Sequence, residues 1–216
     1  MKTLEVGKVK AQGISAASVP GLLDRENVAF VPVDTVNWKD FPYLPEVRFR
    51  IAYTDEAILL HFRVKEESVR AAAPHDNGAV WEDACVEFFS VPAGDGVYYN
   101  MECNCAGTLL VAAGKERENR MYASQKVLDG VDRWSSLGRG VFGEKVGECC
   151  WEVALVIPFA TFFMHAIDSL EGKRIPANFY KCGDKLRTPH FLSWNKIEIE
   201  KPDFHRPDFF GELHFI

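Results

Sequence analysis

The chain lacks any apolar run long enough to cross a bilayer, and its N-terminal stretch MKTLEVGKVKAQGISAASVP lacks the hydrophobic segment of a secretory leader. As it stands it is expected to reside in the cytoplasm, or outside it if a leader has been removed, with no membrane partner. It has no block of lysine and arginine longer than a few residues, and its net charge is −6. Binding to a phosphate backbone needs clustered cations, so no nucleic-acid partner is expected. Also missing are C-x-x-C, H-E-x-x-H, G-x-S-x-G and the P-loop, which leaves zinc sites, the common hydrolases and nucleotide-binding folds without a foothold. Gly138-Arg139-Gly140-Val141-Phe142-Gly143 fits G-x-G-x-x-G by letter, but WSSL before it and EKVGECC after it do not supply the strand-then-helix setting that cradles a pyrophosphate. No linker, internal repeat or low-complexity tract divides the chain, so residues 1–216 read as one domain. Nothing in it sets an oligomeric state.

What is present is material for a large core: 47% apolar residues, 16 phenylalanines and five tryptophans. Val47, Phe49, Ile51 and Tyr53 alternate with Arg48, Arg50 and Ala52, and Ile58, Leu60, Phe62 and Val64 repeat the pattern beyond Thr54-Asp55-Glu56. Period two on both sides of a polar turn predicts a β-hairpin. ACVEFFSV, the turn Pro92–Gly96, VYYNMECNCA and TLLVAAG after Gly107 predict three more strands in a meander. Trp151–Ile157, Arg174–Cys182, His190–Trp194 and GELHFI add strands. A short helix is expected around Ser124–Leu128, and a second, FATFFMHAI, is expected to open at Pro158. Many short strands with Gly/Pro turns predict an all-β fold, an antiparallel β-sandwich or jelly roll with one or two short helices. The six cysteines read as reduced thiols, because three of them fall in interior strands and a chain of this size needs no staples.

Two distant segments each set a tryptophan among polar groups: VWEDACVEFF around Trp81 and FLSWNKIEIEKPDFHRPDFFGELHF around Trp194. A pyranose has apolar C–H faces and a rim of hydroxyls, so an exposed indole beside carboxylates and amides suits it. Alternation puts Cys85, Glu87 and Phe89 on one face of their strand and Val86, Phe88 and Ser90 on the other; Asn100, Glu102 and Asn104 form a polar stripe on the next strand. A lone carboxylate at Glu87 would be costly, so its alternatives are a salt bridge to an arginine or the floor of a sugar site. Asn195 follows the second tryptophan and is placed to bond a ring oxygen or hydroxyl.

These segments, with the strand pattern around them, resemble carbohydrate-binding modules of family 9 and the related DOMON-like β-sandwiches, most strongly over residues 46–110 and 150–216. The resemblance implies non-catalytic recognition of a mono-, di- or oligosaccharide end in support of carbohydrate catabolism. Trp81 and Trp194 would sandwich a terminal sugar, with Glu87 and, more weakly, Glu102, Asn104 and Asn195 bonding its hydroxyls. It also implies that calcium can support the fold, although no acidic cluster here has a regular ligand spacing; no cofactor is expected from the residues themselves. Two alternatives stay open. Glu87 and Glu102 on adjacent strands have the makings of a glycosidase pair, and Met101 with His190 are conceivable haem ligands of the DOMON kind.

Overall fold

Period-two alternation gives nearly every strand of this chain one face to bury, and the chain buries those faces by packing two sheets against each other. The computed structural model describes residues 1–216. In chain order the strands are β1 (Thr3–Val6), β2 (Val31–Pro32), β3 (Thr35–Val36), β4 (Glu46–Tyr53), β5 (Ala57–Ala71), β6 (Cys85–Ser90) and β7 (Tyr98–Asn104). They continue as β8 (Leu109–Gly114), β9 (Met121–Tyr122), β10 (Asp132–Ser135), β11 (Phe142–Pro158), β12 (Arg174–Cys182), β13 (Phe191–Ser193) and β14 (Gly211–Phe215). Two short helices, α1 (Val19–Arg25) and α2 (Gln125–Gly130), complete the fold.

The first sheet runs β1-β14-β12-β6-β7-β8-β9, with β13 pairing β12 and β3; the second runs β10-β11-β5-β4-β2. All pairings are antiparallel except β1 with β14. This is the expected antiparallel β-sandwich. Between the sheets Phe179 stacks on Phe49 at 3.7 Å and on Phe88 at 5.0 Å, joining β12, β4 and β6 through one aromatic column. Each sheet also buries part of its outer face. On the second sheet α1 covers Ala52, Leu59 and Ala154 with Val19, Leu22 and Leu23. On the first, Cys85, Phe89, Tyr98, Leu110, Tyr180 and Cys182 lie beneath Phe204 and Phe210 of the C-terminal loop.

Two local features differ from the sequence-based expectation. The helix α1 was not expected, although Pro20 in its first turn is a fitting start signal. The expected helix FATFFMHAI is only a 3-10 turn, Phe159–Thr161. Phe162 leaves helical backbone (φ −78°, ψ 58°) to bury its ring against Tyr99, centroids 5.1 Å apart, so tertiary packing overrides local propensity.

Trp194 belongs to this core. It is 2% exposed, its ring meets Phe49 and Phe179 edge-on, and a Cβ added to Gly211 would come within 2.5 Å of the indole. Trp194→Ala is therefore expected to cost about 3–5 kcal/mol of stability in urea unfolding, whereas Trp81→Ala, at a half-exposed position, should change it by less than about 1 kcal/mol. Equal losses in the two variants would contradict this division.

Candidate functional site

Strand β6 is buried on both faces. Val86 and Phe88 point into the inter-sheet core, which turns Cys85, Glu87 and Phe89 to the outer face of the first sheet. Antiparallel pairing sets Glu87 directly opposite Glu102 of β7, and Tyr180 of β12 flanks Glu87 on its other side. Above this part of the sheet lies a cavity of about 290 Å³, near the lower bound of ligand pockets. Glu87, Asn100, Glu102, Leu110, Ala112 and Cys182 form its floor. Trp81 stands at its side, 37% exposed, on the turn Val80–Glu82. That turn is pinned because the Asp184 and Lys185 amides donate to the carbonyls of Trp81 and Glu82 at 3.2 and 3.1 Å.

Each floor carboxyl has one oxygen occupied from the protein side. The Cys182 thiol donates to Glu87 Oε1 at 3.1 Å, and the Asn100 amide donates to Glu102 Oε1 at 2.8 Å. Glu102 Oε2 is buried without any hydrogen-bond partner. Such an orphan acceptor is costly unless something entering the cavity satisfies it. Arg120 also lines the cavity, but its guanidinium is spent on the protein. It donates to Asn100 Oδ1 at 2.9 Å, to the Glu116 carbonyl at 2.7 Å and to the Tyr98 carbonyl at 2.9 Å, and stacks on the Tyr98 ring at 3.9 Å. It thus orients Asn100, which in turn orients Glu102.

Burial, then the neighbouring Glu102 charge, holds Glu87 well above the usual carboxylate range. Burial pushes Glu102 up to about 7, against the pull of Asn100 and Arg120. Asp184, on the rim, is raised to about 6 by burial and by Glu82. His205 is driven down to about 3 by burial and by Arg120 and Arg117, so it is a neutral imidazole, bonded to the Tyr98 hydroxyl at 3.0 Å.

Of the residues expected at the site, Trp81, Glu87 and Glu102 meet at this cavity. Trp194 does not: the core between the sheets claims its ring, and it cannot be the second wall. Asn104 is also structural. Its Nδ2 donates to Asp83 at 2.9 Å, and its Oδ1 accepts from the amides of Ala106 and Thr108, closing the turn after β7. Asn195 ties the termini together, accepting from the Lys2 amide at 2.7 Å and donating to the Phe209 carbonyl at 2.8 Å. No arginine pairs with Glu87; its partner is a thiol. Met101 packs between the sheets, and His190 bonds the Lys181 ammonium and the Thr188 carbonyl, so neither faces the cavity. Sequence reasoning missed Asn100, Arg117, Arg120, Tyr122, Asp184 and Phe191 at the cavity. Asn100 was legible from the polar stripe; the others arrive on loops and edges that periodicity does not read.

The cluster of Cys85, Glu87 and Cys182 does not suit calcium. The trio of acidic, histidine or cysteine side chains whose ligand atoms lie within 4.8 Å of one another is Cys85, Glu87 and Cys182, two thiols and one carboxylate. Calcium takes six to eight oxygens.

Native Glu102 keeps a proton that the unfolded chain releases above pH 4.5. Its contribution to stability therefore falls as pH rises from about 4.5 to about 7, and is level above that. Glu102→Gln should unfold at higher temperature than the parent at pH 8, by about 1–3 kcal/mol of stability, with the difference vanishing near pH 4. Calorimetric melts across that range read it directly; a variant no more stable at pH 8 would mean that the carboxyl bears no burial penalty.

The sequence model of carbohydrate-binding family 9 matches residues 17–215. Among solved structures, the chain aligns at TM-score 0.98 with a protein of Bacteroides uniformis ATCC 8492 proposed to bind carbohydrate, 58% identical, covering 100% of this chain and 99% of that one. A family 9 module of Caldicellulosiruptor kristjanssonii in complex with cellotriose aligns at TM-score 0.59 and 11% identity, covering 99% of this chain and 93% of the module. A family 9 module of the same organism in complex with glucose aligns at 0.57 and 11%, covering 100% and 96%. These last two likenesses show the shared fold. No curated protein matches the sequence. With a family match that spans residues 17–215, on a two-sheet sandwich, the chain belongs to carbohydrate-binding family 9.

Proposed function

We propose that this protein is a non-catalytic carbohydrate-binding module that takes one end of a mono-, di- or oligosaccharide into the cavity over β6 and β7. The observation that carries this reading is the orphaned Oε2 of Glu102 beside Glu87 on the cavity floor, next to the exposed indole of Trp81. A pyranose supplies both complements at once: hydroxyl donors for the floor and an apolar C–H face for the indole. Tyr122, exposed and on the same cavity, offers an aromatic surface in the role first expected of Trp194. The relatives point the same way, through a 58% identical protein proposed to bind carbohydrate and family 9 modules complexed with cellotriose and glucose.

Binding is favoured over hydrolysis by the placement of the pair. A retaining or inverting glycosidase needs its two carboxyls on either side of the scissile bond. Here both carboxyls lie side by side on one floor.

A disaccharide-sized ligand at about 0.3 kcal/mol per heavy atom gains roughly 4–7 kcal/mol, so dissociation constants from about millimolar to tens of micromolar are expected. Calorimetric titration with a panel of mono- and disaccharides should find saturable binding in that range, weakened at least about tenfold in Trp81→Ala by loss of the stacked face. Sugar binding indifferent to Trp81 would remove the cavity from consideration, and release of sugar from aryl glycosides, abolished in Glu87→Gln, would replace binding by hydrolysis.

A further inference from the structure

The cavity is lined by four carboxyl groups, Glu87, Glu102, Asp184 and Asp203, against two guanidiniums, Arg117 and Arg120. The nearby cations are committed elsewhere. Arg117 lies 3.5 Å from Asp203, Lys185 pairs with Glu82 at 2.8 Å, and Lys181, behind the sheet, pairs with Glu66 at 2.9 Å. Arg120 is held by Asn100 and by main-chain carbonyls. Glu87, Glu102 and Asp184 therefore face the cavity without a cationic partner.

The central pair has a particular geometry. Glu87 and Glu102 are directly opposed on adjacent antiparallel strands, a placement that sets their Cβ atoms about 4.5–5.5 Å apart. Cys182 and Asn100 occupy one oxygen of each from the protein side, and the buried Oε2 of Glu102 is left open. Two neighbouring carboxyls with free oxygens in a water-poor floor repel each other when ionised. The free protein avoids this by keeping protons on the pair, and a neutral hydroxyl leaves it so. One ammonium group reaches both carboxyls and compensates their charge through charge-assisted hydrogen bonds. Trp81, exposed at the side, is then available both to the sugar face and to the cation.

We infer that this cavity selects a cationic sugar, a 2-amino hexose whose free ammonium sits between Glu87 and Glu102 with its ring against Trp81. The inference rests on the sugar-binding reading and narrows it to one ligand chemistry. An N-acetylated amine is neutral and bulkier, and belongs with the neutral sugars. Entry of the ammonium favours the ionised form of the pair, so binding expels to the buffer protons that the floor carboxyls hold in the free protein.

The test is calorimetric titration of the full chain at about pH 6.5 with glucosamine, galactosamine, glucose and N-acetylglucosamine, in two buffers of different ionisation enthalpy. Replacing a neutral contact by a charge-assisted one predicts at least one amino hexose binding about tenfold or more tighter than glucose and N-acetylglucosamine. Its apparent enthalpy should shift between buffers in the sense of proton release. Glu102→Gln, isosteric but without a titratable group, should abolish that preference and the proton release, so that the amino hexose and glucose bind the variant within about threefold of each other. Glucose bound as tightly as both amino hexoses, or a preference that survives Glu102→Gln, overturns the inference and leaves sugar binding intact. No pyranose bound at all overturns both.

Discussion

The site depends on one constraint: strand β6 is buried on both faces, so its two-residue period leaves no solvent-facing side. Val86 and Phe88 are fixed by the inter-sheet aromatic column through Phe179. That fixes Cys85, Glu87 and Phe89 on the outer face, under the C-terminal loop. A slip of one residue in register would drive Glu87 into the phenylalanine core and Phe88 into the cavity, so fold stability and site composition are enforced by the same packing. The carboxyl at Glu87 exists where water is scarce because the hydrophobic residues beside it have nowhere else to go.

From that enforced position the electrostatics follow. Antiparallel pairing puts Glu102 opposite Glu87, and burial raises both above the ordinary carboxylate range. The fold keeps this pair at a cost that is tolerable only because protons can remain on it and because Cys182 and Asn100 each satisfy one oxygen. The remaining acceptor points to a ligand-supplied donor. Arg120, which would otherwise neutralise the pair, is diverted by main-chain carbonyls and the Tyr98 ring into holding Asn100 in place.

The two tryptophans illustrate how position in the tertiary structure assigns different work to the same side chain. Both directly precede polar residues, Glu82 and Asn195. Trp81 sits on a 3-10 turn outside the sheet, anchored by main-chain bonds from Asp184 and Lys185, and keeps an indole surface exposed. Trp194 directly follows a strand paired to β12 and turns into the core, where Gly211 is the residue that leaves room for its ring. The asparagines divide in the same way: Asn100 faces the cavity, while Asn104 and Asn195 are absorbed by turns and chain ends whose backbone amides need acceptors.

The sequence by itself determined the strands, because alternation of apolar and polar residues is a local property: β4 with β5, the β6-β7-β8 meander and β12 stand where the pattern places them. It also set Glu87 on one face of its strand and Glu102 in a polar stripe on the next, and the observed register places them opposite each other. It did not determine which tryptophan is exposed, that Phe162 would break a helix to fill the core, or that Arg120, Tyr122 and Asp184 from separate loops would rim the cavity. Those depend on which surfaces cover which, and a residue's own neighbours in the chain do not say what will lie above it. Only the packing of the C-terminal loop and the β8–β9 edge over the outer face of the first sheet turned a polar stripe into the buried floor of a cavity.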